Sequence, residues 1–201
     1  IKKLIAYSSV AHLGFVMLGN FSGNVGAAQG GVLQMVNHGV STGALFLLVG
    51  ILYERRHTRL IDDYGGIAKV MPAFAAVFMI VTLSSVGLPG LNGFIGEALV
   101  LFGAFRVYPW LAGAALAGVI LSAVYMLGMY QAVFFGPVRH TENKALPDLC
   151  VREWLYLAPI LIFILLIGVW PNPFLKRAMP AVTNYIALSQ QPAAPAAKLN
   201  S

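Results

Sequence analysis

Within the apolar runs of this 201-residue chain, three side chains have the chemistry to take up and pass on protons: His12, His38 and Glu97. Glu97 stands in VGLPGLNGFIGEALVLF, residues 86–102, and the sequence is almost wholly apolar from Ala73 to Phe105. An ionisable group within a membrane-spanning run is costly enough that function is its default reading. Burial penalises the ionised carboxylate, while the positive end of a nearby helix modestly favours it. A Glu held between those pressures can bind and release a proton. The plainer alternative is a structural Glu satisfied by a neighbour. Each imidazole can donate and accept, which suits it to a relay, although a lone membrane His also serves packing or hydrogen bonding. His12, His38 and Glu97 fall at comparable depth on three successive apolar runs, which favours the relay. His57 and His140 lie in loops and do not join it.

The elements that must position these groups are membrane spans. The chain is 59% hydrophobic and 10% charged, against about a quarter charged residues in a soluble domain. The apolar runs are long enough to cross a hydrocarbon core of roughly 30 Å. We read an all-α, polytopic membrane protein with five transmembrane helices at about 4–21, 30–52, 73–105, 110–135 and 154–171. Small polar residues, among them Ser8, Ser9, Gln34, Asn37, Ser41, Thr42, Thr82, Ser84 and Ser85, could hold water around the relay. The Ala/Gly run 112–118 reads as a helix-packing face.

The net charge of +6 lies in short loops, not in a nucleic-acid footprint. With the N-terminus inside, Lys2, Lys3, Arg55, Arg56, Arg59, Lys69, Arg139, Lys144 and Arg152 fall on the cytoplasmic side. Arg106, Lys176, Arg177 and Lys198 then lie outside, as does the C-terminus. Arg55, Arg56, His57 and Arg59 set topology or contact a neighbouring subunit. Tyr53, Tyr108, Trp110, Trp154, Tyr156 and Trp170 suit interfacial anchoring. The single Cys150 offers neither an internal disulfide nor a metal site. The chain opens at Ile1 without a Met or a cleavable leader, and we read it as a fragment of a longer protein.

The third run is too long for one straight helix. Its 33 residues (73–105) would reach roughly 50 Å at about 1.5 Å per residue. Pro89 removes a donor, and Gly87, Gly90 and Gly93 permit non-helical dihedrals. The expectation is two half-helices interrupted at mid-membrane, with Asn92 capping the second and Glu97 just over one turn further on. Such breaks are tolerated where protein or a water-filled cavity covers the backbone, and ion-coupled transporters build sites on them.

IKKLIAYSSVAHLGFVMLG, QMVNHGVSTGALFLLVGILYERRHTR and GLPGLNGFIGE resemble the proton-pumping, antiporter-like membrane subunits of respiratory complex I, from Ile1 to about Phe174. The resemblance implies the C-terminal five helices of a fourteen-helix antiporter-like fold. It implies that Glu97, on the interrupted helix, exchanges protons with the outside, and that His12 and His38 belong to a central water-lined axis. Glu after GFIG marks one branch of the family, where others carry Lys. Ala98 stands where Phe is common. The resemblance further implies that NADH, FMN, iron–sulfur clusters and quinone are bound by other subunits, with no cofactor in this chain. The implied partners are other complex I membrane-arm subunits and the lipid bilayer, with no nucleic acid.

The expected organisation is therefore 1–174 as the proton-conducting membrane part and 175–201 as a partly disordered periplasmic tail. The expected location is the bacterial inner membrane. The expected function is proton translocation by a non-redox subunit of NADH:quinone oxidoreductase. The rivals are a subunit of a related hydrogenase or cation/proton antiporter, and a non-conducting membrane scaffold.

Overall fold

A long apolar segment in lipid must satisfy its own backbone groups, and a helix does so within the segment. The computed structural model, which describes residues 1–191, is built of helices. The order is α1 (Lys2–Phe21), α2 (Val25–Arg56), α3 (Ile67–Val70), α4 (Pro72–Val86), α5 (Asn92–Phe105), α6 (Pro109–Phe134), a 3₁₀ turn (Thr141–Ala145), α7 (Val151–Val169) and α8 (Asn172–Ser189). Four of these, α1, α2, α6 and α7, are each long and apolar enough to cross a membrane. The shorter apolar helices α4 and α5 occupy the run expected to be interrupted.

Local signals set the boundaries. Asn24 caps α2 by accepting from the Ala27 N–H at 3.1 Å, and His57 closes the other end in a left-handed conformation, φ 57°. Pro72 and Pro109 open α4 and α6, where a missing N–H costs nothing. α4 ends on Gly87 at φ 81°, and Leu88 N–H reaches back to Leu83 O at 3.0 Å. This is a glycine-dependent C-terminal motif, and Pro89 then prevents the helix from resuming at once. α5 starts at Asn92, so residues 87–91 form the break.

α2 is the organising element, touching α1 along one side and α5 along another. The close approach depends on glycine. A Cβ at Gly30 would lie 2.7 Å from both Leu99 Cβ and Val100 N, and one at Gly103 would lie 2.5 Å from Ala27 N. At the far end of the bundle Phe74 and Phe78 of α4 meet Tyr130 and Phe134 of α6, with the Tyr130 and Phe134 rings stacked 4.3 Å apart. Arg55 holds Glu153 there, Nη2 to Oε2 at 2.6 Å. The Asp148 carboxylate accepts from the Ala73 and Phe74 N–H groups at 2.9 Å each, tying the start of α4 to the segment before α7.

Several expectations change. Among the described residues nothing packs closely on the Ala/Gly run 112–118: Gly113 and Gly118 face open space, and only Ala112 is buried. α6 packs instead through bulky residues of its second half, Met126, Met129, Tyr130, Val133 and Phe134. Arg55 and Arg56 bond within the chain, to Glu153 and to Glu142 and Asn143. The stretch from 175, read as a tail, is helical through Ser189. It docks on α2 through Val182, Ile186 and Ala28, and Gln29 donates to Leu175 O at 2.9 Å. Residues 192–201, where the rest of that expectation falls, lie outside the described residues.

Candidate functional site

The packing of α1, α2, α4 and α5 brings the three candidate residues together, with Glu97 and His12 buried and His38 half-buried. Glu97, 5% exposed, projects from α5, and His12, also 5% exposed, from α1. Their nearest atoms, Glu97 Oε1 and His12 Nδ1, are 3.2 Å apart. Gln34 of α2 reaches both, its Nε2 lying 3.4 Å from Glu97 Oε1 and 3.3 Å from His12 Nδ1. On its other side His12 Nε2 lies 3.1 Å from Ser85 Oγ of α4. The His38 ring is next in the row, 5.8 Å from His12 centre to centre. It is held by Ser9 Oγ at 2.7 Å from Nε2.

This arrangement supports two proton placements with the same heavy atoms. With the carboxylate ionised, His12 donates from Nδ1 to Glu97 Oε1, and Nε2 accepts from the Ser85 hydroxyl. With the proton on the carboxyl, Glu97 donates to Nδ1, and Nε2 carries the hydrogen toward Ser85. Either state leaves every named nitrogen with a partner. Among the described residues His12 is the only ion-pairing partner of Glu97, and it carries charge only when protonated.

The break supplies the frame. Asn92 does not cap α5, as Leu91 holds the cap position without a side-chain bond. The amide side chain turns sideways instead. Its carbonyl oxygen accepts from Ser84 of α4 and, at 3.3 Å, from Ser41 of α2. Asn37 Nδ2 donates to Asn92 O at 2.7 Å, and Asn92 Nδ2 returns a long bond to Asn37 O at 3.4 Å. A Cβ at Gly93 would strike Ser84 O, so glycine is required for α5 to begin beside the end of α4. Of the other break residues, Gly87 and Gly90 take positive φ, 81° and 91°, and Pro89 is exposed.

Between the row and this clasp lies a void of about 10 Å³, bordered by His12, Gln34, Asn37, His38 and Ser84 among others. That is room for about one water. Gln34 Oε1, Asn37 Oδ1 and Thr42 Oγ1, side-chain oxygens of the same region, are buried without a protein partner. The sequence reading named Glu97, His12 and His38, and the structure brings them together. It treated Gln34 and Ser85 only as possible water holders, whereas both contact the row directly. A signal existed: Gln34, Asn37, His38 and Ser41 recur at helical spacing and mark one polar stripe on α2. Among the described residues no group of three or more His, Cys, Asp or Glu side chains could hold a metal ion.

Residues 1–124 match the family model for the transmembrane region of NADH:quinone oxidoreductase/Mrp antiporter proteins. The chain is 46% identical over 185 residues to NADH-quinone oxidoreductase subunit M of Rhodobacter capsulatus, covering 92% of this chain and 36% of that protein. It is also 46% identical over 183 residues to the subunit M of Mycobacterium tuberculosis H37Rv, covering 90% of this chain and 33% of that protein. The chain thus spans about a third of the length of the curated relatives it matches. A chain of respiratory complex I from Thermus thermophilus superposes with TM-score 0.89 at 40% identity, over 95% of this chain and 40% of that one. The match covers the helices that carry Glu97, His12 and His38, and on it the chain belongs to the NADH:quinone oxidoreductase/Mrp antiporter transmembrane family.

Proposed function

We propose that this chain is part of a proton-translocating, antiporter-like membrane subunit of NADH:quinone oxidoreductase, with Glu97 as a proton carrier and His12 as its immediate exchange partner. One observation carries the reading: the buried Glu97–His12–Ser85 contact, mounted beside a helix break in a member of this family. In this reading α4 and α5 together make a fifth, interrupted span, and the N-terminus and the loops rich in Arg and Lys face the cytoplasm. α8 and the C-terminus are then periplasmic, and the membrane is the bacterial inner membrane. NADH, FMN, iron–sulfur clusters and quinone belong to other subunits, and this chain does no redox chemistry.

The mechanism follows from charge and geometry. A positive charge arriving at the His38 end of the row disfavours a proton on His12 and favours the anionic form of Glu97. The proton leaves Glu97 outward, and is regained when that charge departs. Gln34 keeps its amide on Glu97 Oε1 throughout, so the carboxylate is held at one position in both states. No covalent step is required of this chain. The reading as a subunit of a cation/proton antiporter is less favoured. The Mrp complex of Dietzia sp. DQ12-45-1b shares the fold at TM-score 0.81, but at 18% identity.

The test is Glu97→Gln in the full-length subunit, assembled in its complex and sealed in vesicles, with quinone reduction and proton uptake followed together. Loss of proton uptake in a normally assembled complex is the expected result. Wild-type rates of both would make the carboxylate structural and leave the scaffold reading in its place.

A further inference from the structure

A second cavity reaches Glu97, and His12 is not among the residues that line it. It lies between α5 and α6, has a volume of about 480 Å³, and is walled by apolar side chains such as Phe94, Leu101, Phe102, Leu116 and Val119. Phe102 is 73% exposed and Leu116 52% exposed, so the described residues leave the cavity open beside the helix pair. Glu97 is the one charged residue in its wall.

The two carboxylate oxygens face different surroundings. Oε1 takes both the His12 and the Gln34 contacts. Among the described residues Oε2 accepts no hydrogen bond, and it lies against Gly87, where a Cβ would come within 2.5 Å of it. Gly87 also lines the cavity. A nine-tenths-buried carboxylate thus presents an unpartnered oxygen at the inner end of an apolar slot. The volume falls in the range of small-molecule sites, roughly 300–1,000 Å³. An apolar slot with one unpartnered carboxyl oxygen in its wall is complementary to a hydrocarbon body carrying a single hydrogen-bonding cation. A plain acyl chain would fill the slot and cover Oε2 without supplying a donor, which is unfavourable.

We infer that the α5–α6 cavity is a binding site for lipophilic primary ammonium compounds, with the alkyl body between Phe102 and Leu116 and the ammonium on Glu97 Oε2. A bound ammonium occupies the carboxylate oxygen that the His12 row does not use. Binding requires an ionisable Glu97 and an open cavity, and does not depend on proton translocation.

The test is photoaffinity labelling of the assembled, membrane-embedded complex containing the full-length subunit. The probe is n-octylammonium bearing a terminal diazirine, compared with the neutral alcohol of the same skeleton, and labelled peptides are mapped by mass spectrometry. The expected result is ammonium-dependent label on the Leu101–Phe105 or Leu116–Val119 segments, at least tenfold above the alcohol. Glu97→Gln should reduce the ammonium label to the alcohol's level. Ala98→Trp, which fills the cavity without touching the polar row, should abolish label from both probes there. Equal labelling by both probes would overturn the proposal in favour of a groove that takes any acyl chain. Absence of label on both segments would overturn it by showing that the face is covered in the complex.

Discussion

Gly30 gives the sharpest test of how the site is positioned. A Cβ at this position would meet Leu99 Cβ at 2.7 Å, Val100 N at 2.7 Å and Gly96 O at 3.0 Å. Two of those three atoms are α5 backbone, so a rotamer change cannot relieve the contact. Carbon atoms settle at about 3.5–4.0 Å, so Gly30→Ala must push α5 from α2 by roughly 1 Å. Gln34 on α2 and Glu97 on α5 are already 3.4 Å apart, and any such opening takes the contact beyond hydrogen-bond range. Overpacking costs about 1–3 kcal/mol, partly offset by the roughly 1 kcal/mol that Ala gains over Gly in a helix. Proton uptake should suffer more than stability, because a displacement of about 1 Å can cost on the order of 100-fold in rate. Gly43→Ala on the same helix is the control, since its Cβ meets nothing within 4 Å. The assay is proton uptake per quinone reduced in sealed vesicles, beside thermal unfolding of the purified complex. If Gly30→Ala pumps as well as Gly43→Ala, the claim that close α2–α5 packing sets the Glu97 geometry is refuted.

Two further outcomes are expected. Arg55→Ala removes the partner of Glu153, whose side chain is only 13% exposed. This should cost about 3 kcal/mol in unfolding measurements, and Glu153→Gln in the same chain should restore much of the loss. Tyr64, fully buried in the loop after α2, has its hydroxyl pushed up to about 12 by burial, with Asp63 adding to the effect and Arg56 opposing it. The unfolded phenol ionises near 10 while the folded one keeps its proton, so this stabilisation is complete below pH 10 and is lost as pH rises toward 12. It amounts to about 2–3 kcal/mol, and Tyr64→Phe should remove that pH dependence from denaturation curves taken across the interval.

The proximity of His12, His38 and Glu97 was legible in the sequence because membrane depth is a matter of counting. Residues counted to a comparable depth along successive apolar runs share a level, and that count put His12, His38 and Glu97 together. The break was legible because Gly87-Leu88-Pro89-Gly90 combines permissive dihedrals with a missing donor. What escaped depends on rotation about each helix axis. Gln34 and Ser85 were visible as polar residues, but whether they touch His12 is decided by α1, α2 and α4 facing one another. Asn92 looked like a helix cap because Asn favours caps. Three-helix packing offered its amide better partners in Ser84, Ser41 and Asn37. Small residues misled at 112–118, where they face outward, while Gly96 and Gly103 carried the real contact at a helical spacing. The helix after Asn172 escaped because its two prolines and low hydrophobicity resemble a tail. Its apolar contact with α2 is the short row Ala178, Val182 and Ile186.

The clasp of Asn37, Ser41, Ser84 and Asn92 is built from amides and hydroxyls alone, directly beside the ionisable row of His38, His12 and Glu97. Its dipoles are fixed by mutual hydrogen bonds and have little freedom to turn when a proton arrives or departs. Water in the same place would reorient fully around each new charge, stabilising it and then resisting its removal. A polar but orientationally frozen surround makes a smaller response. If Glu97 carries a proton as proposed, such a surround lets that proton travel in either direction over a low reorganisation barrier, its direction set by charges arriving from outside the row.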